Sequence, residues 1–295
     1  MNTLLEQIKK KNAKAFTHSG KFHADDVFSY ALLLYLNPAI TITRGNKVPK
    51  DFDGIVFDIG GGEFDHHQPD HRFRENESPY AAFGLLWEKY GPEIVGEEEA
   101  ARFDRDFVEP LDVSDNTGCP NQLASVISYF NPSWDSDQDQ DEAFEEAKQF
   151  ALTILKKKFA LIESIQRAED MVKEALNKME EDILVLPVSA PWKKYVKETS
   201  AELVVFPSNR GGYCAQGVPA ERENEEEEYR LKVDFPQSWA GLRDEEIERV
   251  SGIKGLRFCH NSRFLIAADT FEAAMEACRK AQEEAKHVKE QENNV

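Results

Sequence analysis

In the first half of the chain, short apolar bursts alternate with stretches of helical period. Ala15–His18 reads as a strand that ends in a glycine-containing turn. A helix follows from about Asp25 to Leu36, with acids in its first turn where the macrodipole favours them. Ile40–Arg44 and Gly54–Ile59 read as strands, the second closed by three glycines, and Glu63–His67 as a further short strand. Ser78-Pro79 predicts the start of a helix that runs through Tyr90, and Glu97–Val113 and Asn121–Phe130 predict two more. Strands alternating with helices imply an α/β domain with a mostly parallel sheet covered on both faces.

From residue 139 to 181 the pattern changes. Phe144, Ala147, Phe150, Ala151, Ile154, Leu155, Phe159, Ile162, Ile165, Ala168, Val172 and Leu176 recur at helical spacing without Pro or Gly. So long a run predicts a connector helix, broken at most once. Beyond it, strands are expected at 183–188, 202–206, 212–218, 229–234, 256–260 and 263–268, with helices at 191–198, 243–251 and 270–290. This describes a smaller α/β domain with a mixed sheet. The expected organisation is therefore a metal-binding domain over 1–135, a helical connector over 136–182 and a substrate-binding domain over 183–295.

Composition narrows the function. The chain has 295 residues, 41% of them hydrophobic, which fits a folded protein of two cores. No apolar run reaches the roughly 18–20 residues that span a bilayer. The opening residues show neither an apolar signal core nor an Arg-rich transit pattern, so a cytoplasmic protein without membrane partners is expected. The four cysteines form no C-x-x-C pair, which argues against a disulfide scaffold or a cysteine zinc site. A net charge of −19 argues against a large duplex-binding surface. It weighs less against an enzyme taking a strand end or a small phosphoester, because bound cations reset the local charge. The Glu97–Glu99 and Glu225–Glu228 runs read as solvated surface.

Four segments carry candidate chemistry. T-H-S-G-K-F-H-A-D-D places His18, His23, Asp25 and Asp26 at a strand's carboxyl end and the helix start, where ligands bind in open α/β sheets. In V-F-D-I-G-G-G, Asp58 interrupts an apolar strand, a costly place for a carboxylate without a partner or a metal. Asp65-His66-His67 joins one carboxylate to two imidazoles. In a regular strand these alternate faces, so either the chain turns there or the residues play different parts. In L-D-V-S-D-N-T-G, Asp112 and Asp115 stand after a helix and before a turn, and the segment reads either as a source of ligands or as a helix C-terminal turn capped by Asn116 or Gly118. No G-x-S-x-G and no Walker-type loop occurs.

In this order, the segments resemble the four motifs of the DHH phosphoesterase superfamily. The wording T-H-S-G-K-F-H-A-D-D, F-D-H-H-Q and D-V-S-D-N, with L-P-V-S-A-P-W-K, P-Q-S-W-A-G-L-R-D-E-E and R-F-C-H-N-S-R-F in the second half, is similar to one branch, the melanocyte proliferating gene (Myg) exonuclease family. Leu265 and Ile266 depart from that family's usual glycine. The resemblance implies two Mn²⁺ ions, with Mg²⁺ as the alternative; imidazole ligands shift the preference toward Mn²⁺. It implies His18, His23 and Asp25 as ligands, Asp58 as a bridge between the ions, His66 on one ion, and Asp115 or Asp112 completing the second. His67 would act at the scissile phosphate. His260, Arg263, Arg230 and Arg210 are candidate substrate contacts, and Trp192 and Trp239 read as core rather than as base-stacking platforms.

The implied activity is a metal-dependent phosphodiesterase, a 3′–5′ exonuclease on RNA or short oligonucleotides working by two-metal in-line hydrolysis. The acidic balance favours a small phosphoester or pyrophosphate instead. A reading of another class is a non-catalytic, metal-stabilised interaction protein, with the long helix offering homodimer contacts.

Overall fold

A computed structural model describes residues 6, 8–70, 72–220 and 230–292. His71 and the Glu225–Glu228 run lie outside the described residues, as does part of the strand expected at 229–234. The chain divides into two compact units, residues 1–163 and 164–295.

The first unit is built on a three-stranded parallel sheet in the order β2-β1-β3, formed by β1 (Lys14–His18), β2 (Thr41–Gly45) and β3 (Ile55–Val56). Around it lie α1 (Ala24–Leu36), α2 (Ala82–Val95), α3 (Glu97–Phe103), α4 (Glu109–Thr117) and α5 (Gln122–Ser128). A one-turn π segment, Asp104–Val108, joins α3 to α4. The core is strongly aromatic: Trp87 stacks on Phe159 with centroids 5.7 Å apart, and Phe28, Phe83 and Phe107 pack edge-on or tilted.

Several expected boundaries move. The strand expected over Gly54–Ile59 keeps ladder pairing only at Ile55–Val56, because Asp58 turns the chain with a φ of 56°. The Glu63–His67 strand is reduced to one bridge, Phe57 with Phe64. The helix placed at Ser78-Pro79 starts at Ala82, because Pro79 pairs with Phe73 in an antiparallel bridge instead. The helix expected to end at Val113 continues through Thr117 and stops at Gly118, which takes the left-handed conformation. Asp112 and Asp115 therefore sit inside a helix, not after one.

The long helix α6 (Gln140–Asn177) is continuous over 38 residues. The division between the units falls within it, and the expected boundaries at 135/136 and 182/183 lie near its two ends. Phe144, Ala147, Ala151, Leu155, Phe159 and Ile162 belong to the first unit's core, whereas Ala168 and Val172 belong to a cluster of the second.

The second unit carries a five-stranded mixed sheet in the order β4-β5-β6-β8-β7. Its strands are β4 (Ile183–Val185), β5 (Leu203–Pro207), β6 (Tyr213–Gly217), β7 (Leu256–Cys259) and β8 (Leu265–Ala268). β4 and β5 run parallel and the other pairs antiparallel. Two helices follow the pattern expected of them, α7 (Asp244–Ser251) and α8 (Phe271–Glu292), while the helix expected at 191–198 shrinks to a 3₁₀ turn at Lys193–Tyr195. Of the strand expected at 229–234, the described part keeps one bridge, Pro219 with Leu231. Trp192 and Trp239 are buried in the second unit's clusters. No helix among the described residues is long and apolar enough to cross a membrane.

Candidate metal centre

Three loops and one helix of the first unit converge at the carboxyl end of β1. His18 is the last residue of β1, and the loop after it is pinned by the buried Phe22 ring and by Arg44, whose Nη2 donates to the Gly20 carbonyl at 2.6 Å. His23 precedes the first turn of α1, where the Oδ1 of Asp26 accepts the His23 backbone N–H at 3.0 Å. The macrodipole favours Asp25 and Asp26 at this end of the helix.

Asp58 has a left-handed backbone, costly for a residue with a Cβ, and such strain collects at functional sites. Its backbone N–H donates to the Phe64 carbonyl at 2.9 Å, which closes the glycine loop 60–62 and brings the next motif back beside it. There the chain turns. Asp65 accepts N–H groups from Gly61 and His67 at 2.7 and 3.0 Å. This turn resolves the alternation problem of the Asp-His-His triplet, since both imidazoles now reach Asp58.

The resulting cluster lines a cleft of about 780 Å³ with His18, His23, Asp58, Asp65, His66, His67, Asp115 and Asn116 in its wall. Asp58 lies at its centre: Oδ2 is 3.1 Å from His18 Nε2, and Oδ1 is 3.1 Å from His66 Nε2 and 3.5 Å from His67 Nδ1. Asp26 Oδ2 is 3.1 Å from His18 Nε2. Asp115 lies 3.5 Å from His66 and 3.9 Å from His23, and Asp25 lies 3.7 Å from His66. Three triads have ligand-type atoms within 4.8 Å of one another: Asp58/His66/His67, His18/Asp26/Asp58 and His23/Asp25/Asp115. Asp58 belongs to two of them, with one oxygen toward each.

Whether these residues suit a cation is tested by Asp25. It is fully buried, and neither carboxylate oxygen has a hydrogen-bond partner among the described residues. An unpaired buried carboxylate costs several kcal/mol. Burial, with Asp58, Asp115 and Asp26 close by, pushes its pKa well above the ordinary carboxylate range. Asp26 is pushed up by burial and held down by His18. Burial raises Asp58 as well, but the His18 and His66 hydrogen bonds outweigh it and draw Asp58 down to about 2. The Asp26 and Asp58 bonds carry His18 up to about 10; burial lowers His66, yet its bond to Asp58 prevails and takes it to about 9. Four carboxylates and three or four imidazoles that share too few protons form a donor set that fits divalent cations.

Of the predicted residues, the structure gathers His18, His23, Asp25, Asp58, His66, His67 and Asp115 here. Asp112 lies outside the triads. It is wholly buried, with Oδ2 2.7 Å from Arg74 Nη2 and Oδ1 accepting the Gly84 N–H at 3.1 Å. Arg74 also bonds Asp104 through Nε and Nη2 at 2.7 Å. Gly84 is required, because a Cβ there would meet Asp112 Oδ2 at 1.8 Å. Asp112 is one of two helix positions open in the sequence, and its partner Arg74 is 38 residues away.

Three further residues complete the cluster. Asp26 faces His18 from the first turn of α1. Asp65 orients His67, with Oδ1 2.9 Å from Nδ1. Asn116 faces His66 Nδ1 through Oδ1 at 3.1 Å, while its amide nitrogen donates to the Tyr80 and Asp112 carbonyls. Such outer partners fix the tautomer and orientation of a ligating imidazole. In the sequence Asn116 reads only as a candidate helix cap beside Asp115.

The predicted substrate contacts lie in the second unit. His260 Nδ1 accepts the Ser262 N–H at 3.0 Å, and Arg263 is 3.7 Å from Asp234. Arg230 lines a shallow cavity with Ser200, Glu202 and Lys232. Arg210 lines a separate cleft with Arg243 and Arg257.

The family model for MYG1 exonucleases, described as Uncharacterised protein family (UPF0160), matches residues 14–282. The MYG1 protein of Schizosaccharomyces pombe is 27% identical over 322 aligned residues, covering 91% of this chain and 97% of its own. The proteins named MYG1 exonuclease in Rattus norvegicus and Homo sapiens are each 27% identical, covering 89% of this chain and 83% and 84% of theirs. No solved structure matches. The motifs of the cleft fall inside the matched span, and the chain belongs to the MYG1 exonuclease family.

Proposed function

We propose that this protein is a divalent-metal-dependent phosphodiesterase that removes nucleotides from RNA or short oligonucleotides in the 3′-to-5′ direction, with two Mn²⁺ ions as its cofactor. The observation that carries the reading is the buried Asp25 carboxylate, unsatisfied by protein donors in a nest of three further carboxylates. The name exonuclease carried by the rat and human relatives supports the nuclease side. The order of the motifs supports a place among DHH phosphoesterases.

His18, His23, Asp25, Asp26, Asp58, His66 and Asp115 would hold the ions. When bound, two such ions polarise a phosphoryl oxygen and make water acidic enough to attack near neutral pH. The protein groups do the rest. Asp58 splits its two oxygens between the His18 and His66 sides and so holds them in register. Asn116 sets the ring plane of His66. Asp65 accepts the Nδ1–H of His67 and so aims Nε2 of this exposed imidazole into the cleft, where its imidazolium form would donate the Nε2 proton to the scissile phosphate or to the leaving oxygen. The Arg74–Asp112 pair anchors α4, the helix that carries Asp115 and Asn116.

Purified protein incubated with Mn²⁺ and RNA labelled at either end tests the reading. Stepwise loss of nucleotides from the 3′ end is expected, with none in EDTA. Degradation from the 5′ end would overturn the polarity. Hydrolysis of pyrophosphate alone would move the protein to small phosphoesters. Bound metal with no hydrolysis of any of these would favour a metal-stabilised interaction protein.

A further inference from the structure

The second unit holds a cleft of about 570 Å³ of a different character. Side chains alternate across its sheet. Val205, Ala215, Ile266 and Ala268 face the core beneath α8, whereas Phe206, Cys214, Leu265 and Ala267 face the other way and floor this cleft. On the β4–β5 side that second face is filled, with Leu184 and Val204 packed with Ala168 and Val172 of α6. On the β6–β8–β7 side it is open.

Arg210, Arg243 and Arg257 stand round this apolar floor, with Ser189, Ser208 and Asn209 beside them. Arg257 is tethered: Nη2 donates to the Gly211 carbonyl at 2.7 Å, and Nε lies 3.2 Å from Asp269. Arg243 lies over the Phe258 ring at 4.9 Å. Neither Arg210 nor Arg243 has a carboxylate partner among the described residues, although acidic residues outnumber basic ones 55 to 36 in this chain. Asp244 is the one carboxylate in the lining among the described residues. Guanidinium forks match phosphate oxygens, and a flat apolar floor beside them suits a planar ring. The volume lies in the range of roughly 300–1,000 Å³ typical of small-molecule sites.

We propose that this cleft binds a nucleoside monophosphate unit, free or at the end of a strand, with its phosphate on Arg210 and Arg243, its base on the Phe206–Leu265–Ala267 floor, and Asp244 as acceptor for a ribose hydroxyl. The choice of a nucleotide over other aryl phosphates rests on the proposed nuclease activity; the anion site itself does not.

The test is calorimetric titration of AMP, adenosine and inorganic phosphate into the full chain in EDTA, which removes the metal centre from the measurement. AMP is expected to bind at least about tenfold more tightly than either fragment. Each arginine removed should cost about tenfold, and R210A/R243A about a hundredfold. Both side chains are exposed, and circular dichroism checks the fold; should the double variant not fold, R210Q and R243Q singly carry the measurement. Asp58→Asn should bind AMP like the parent while losing hydrolysis; a parent protein that binds AMP yet hydrolyses no RNA with Mn²⁺ refutes the activity and keeps the site. Competition between a short phosphorylated RNA and AMP would identify the ligand as a strand end, and lack of competition as the free nucleotide. Absence of AMP binding, binding unchanged in R210A/R243A, or phosphate binding as tight as AMP would overturn the proposal.

Discussion

The first unit buries carboxylates in two neighbouring places, and it treats them differently. Asp112 and Asp104 close on Arg74, and Asp112 also takes the Gly84 N–H, so this cluster is neutralised by the chain itself. One turn along the same helix, Asp115 joins Asp25, Asp26 and Asp58, where the basic groups of the triads are imidazoles and neither Asp25 oxygen has a hydrogen-bond partner among the described residues. Burial is similar in both. What separates a structural carboxylate from a ligand is whether protein donors exhaust its lone pairs, and helix position alone does not reveal that.

Breaking each cluster should give opposite results. Asp58→Asn should reduce Mn²⁺-dependent hydrolysis by about a thousandfold, read as kcat/KM on the RNA substrate, since the loss of one well-placed electrostatic group at a reaction centre reaches that size. Asp112→Ala should mainly unfold. Removing one side of a buried ion pair costs about 3–5 kcal/mol, and Arg74 keeps Asp104, so a loss of about 3 kcal/mol in urea denaturation is expected.

Asp25→Asn sharpens the contrast further. In EDTA it should raise the melting temperature, because a like charge leaves a buried acidic nest, and it should remove most of the stabilisation by Mn²⁺. That stabilisation should be about 2.7 kcal/mol in the parent at a metal concentration a hundred times Kd. A parent melting temperature indifferent to both EDTA and Mn²⁺ would defeat the idea that the second cluster needs a cation. Asn116→Leu, which removes the partner of His66 Nδ1, should weaken Mn²⁺ binding by about 10–100-fold while sparing the fold.

The smallest effect is on pH. In the metal-free protein His18 and His66 hold their protons up to about 10 and about 9. Their contribution to stability is therefore fully present below the ordinary histidine value and is lost as pH rises through that window. Metal must displace these protons, so Mn²⁺ affinity should climb from pH 6 to 9 and binding at pH 7 should release protons. Calorimetry in buffers of different ionisation enthalpy reads the number released; a value of zero would show that the imidazoles are not ligands.

Much of this was legible in the chain. His18, His23 and Asp25 announce themselves by crowding round a strand end and a helix start, and Asp58 by breaking an apolar strand. The Asp-His-His triplet was legible as chemistry but not as geometry. Its strand reading failed because Asp65 spends its carboxylate on the Gly61 and His67 N–H groups and turns the chain. Asp26 is legible only as a member of the His18 segment, without its contact to His18, and the part Asn116 plays is hidden because its partner His66 lies on another segment. The arginine cleft was visible only through Arg210, since Arg243 and Arg257 reach it from α7 and β7.

By itself the sequence determined the alternation of strands and helices, the long helix between the two halves, and the His and Asp types that crowd the cleft, because these depend on local period and on side-chain chemistry. Tertiary structure alone separates the surroundings of Asp112 from those of Asp115. Both lie on α4, three residues apart, and only the arrival of Arg74 and Gly84 from distant segments satisfies the Asp112 carboxylate and leaves Asp115 in the cleft wall.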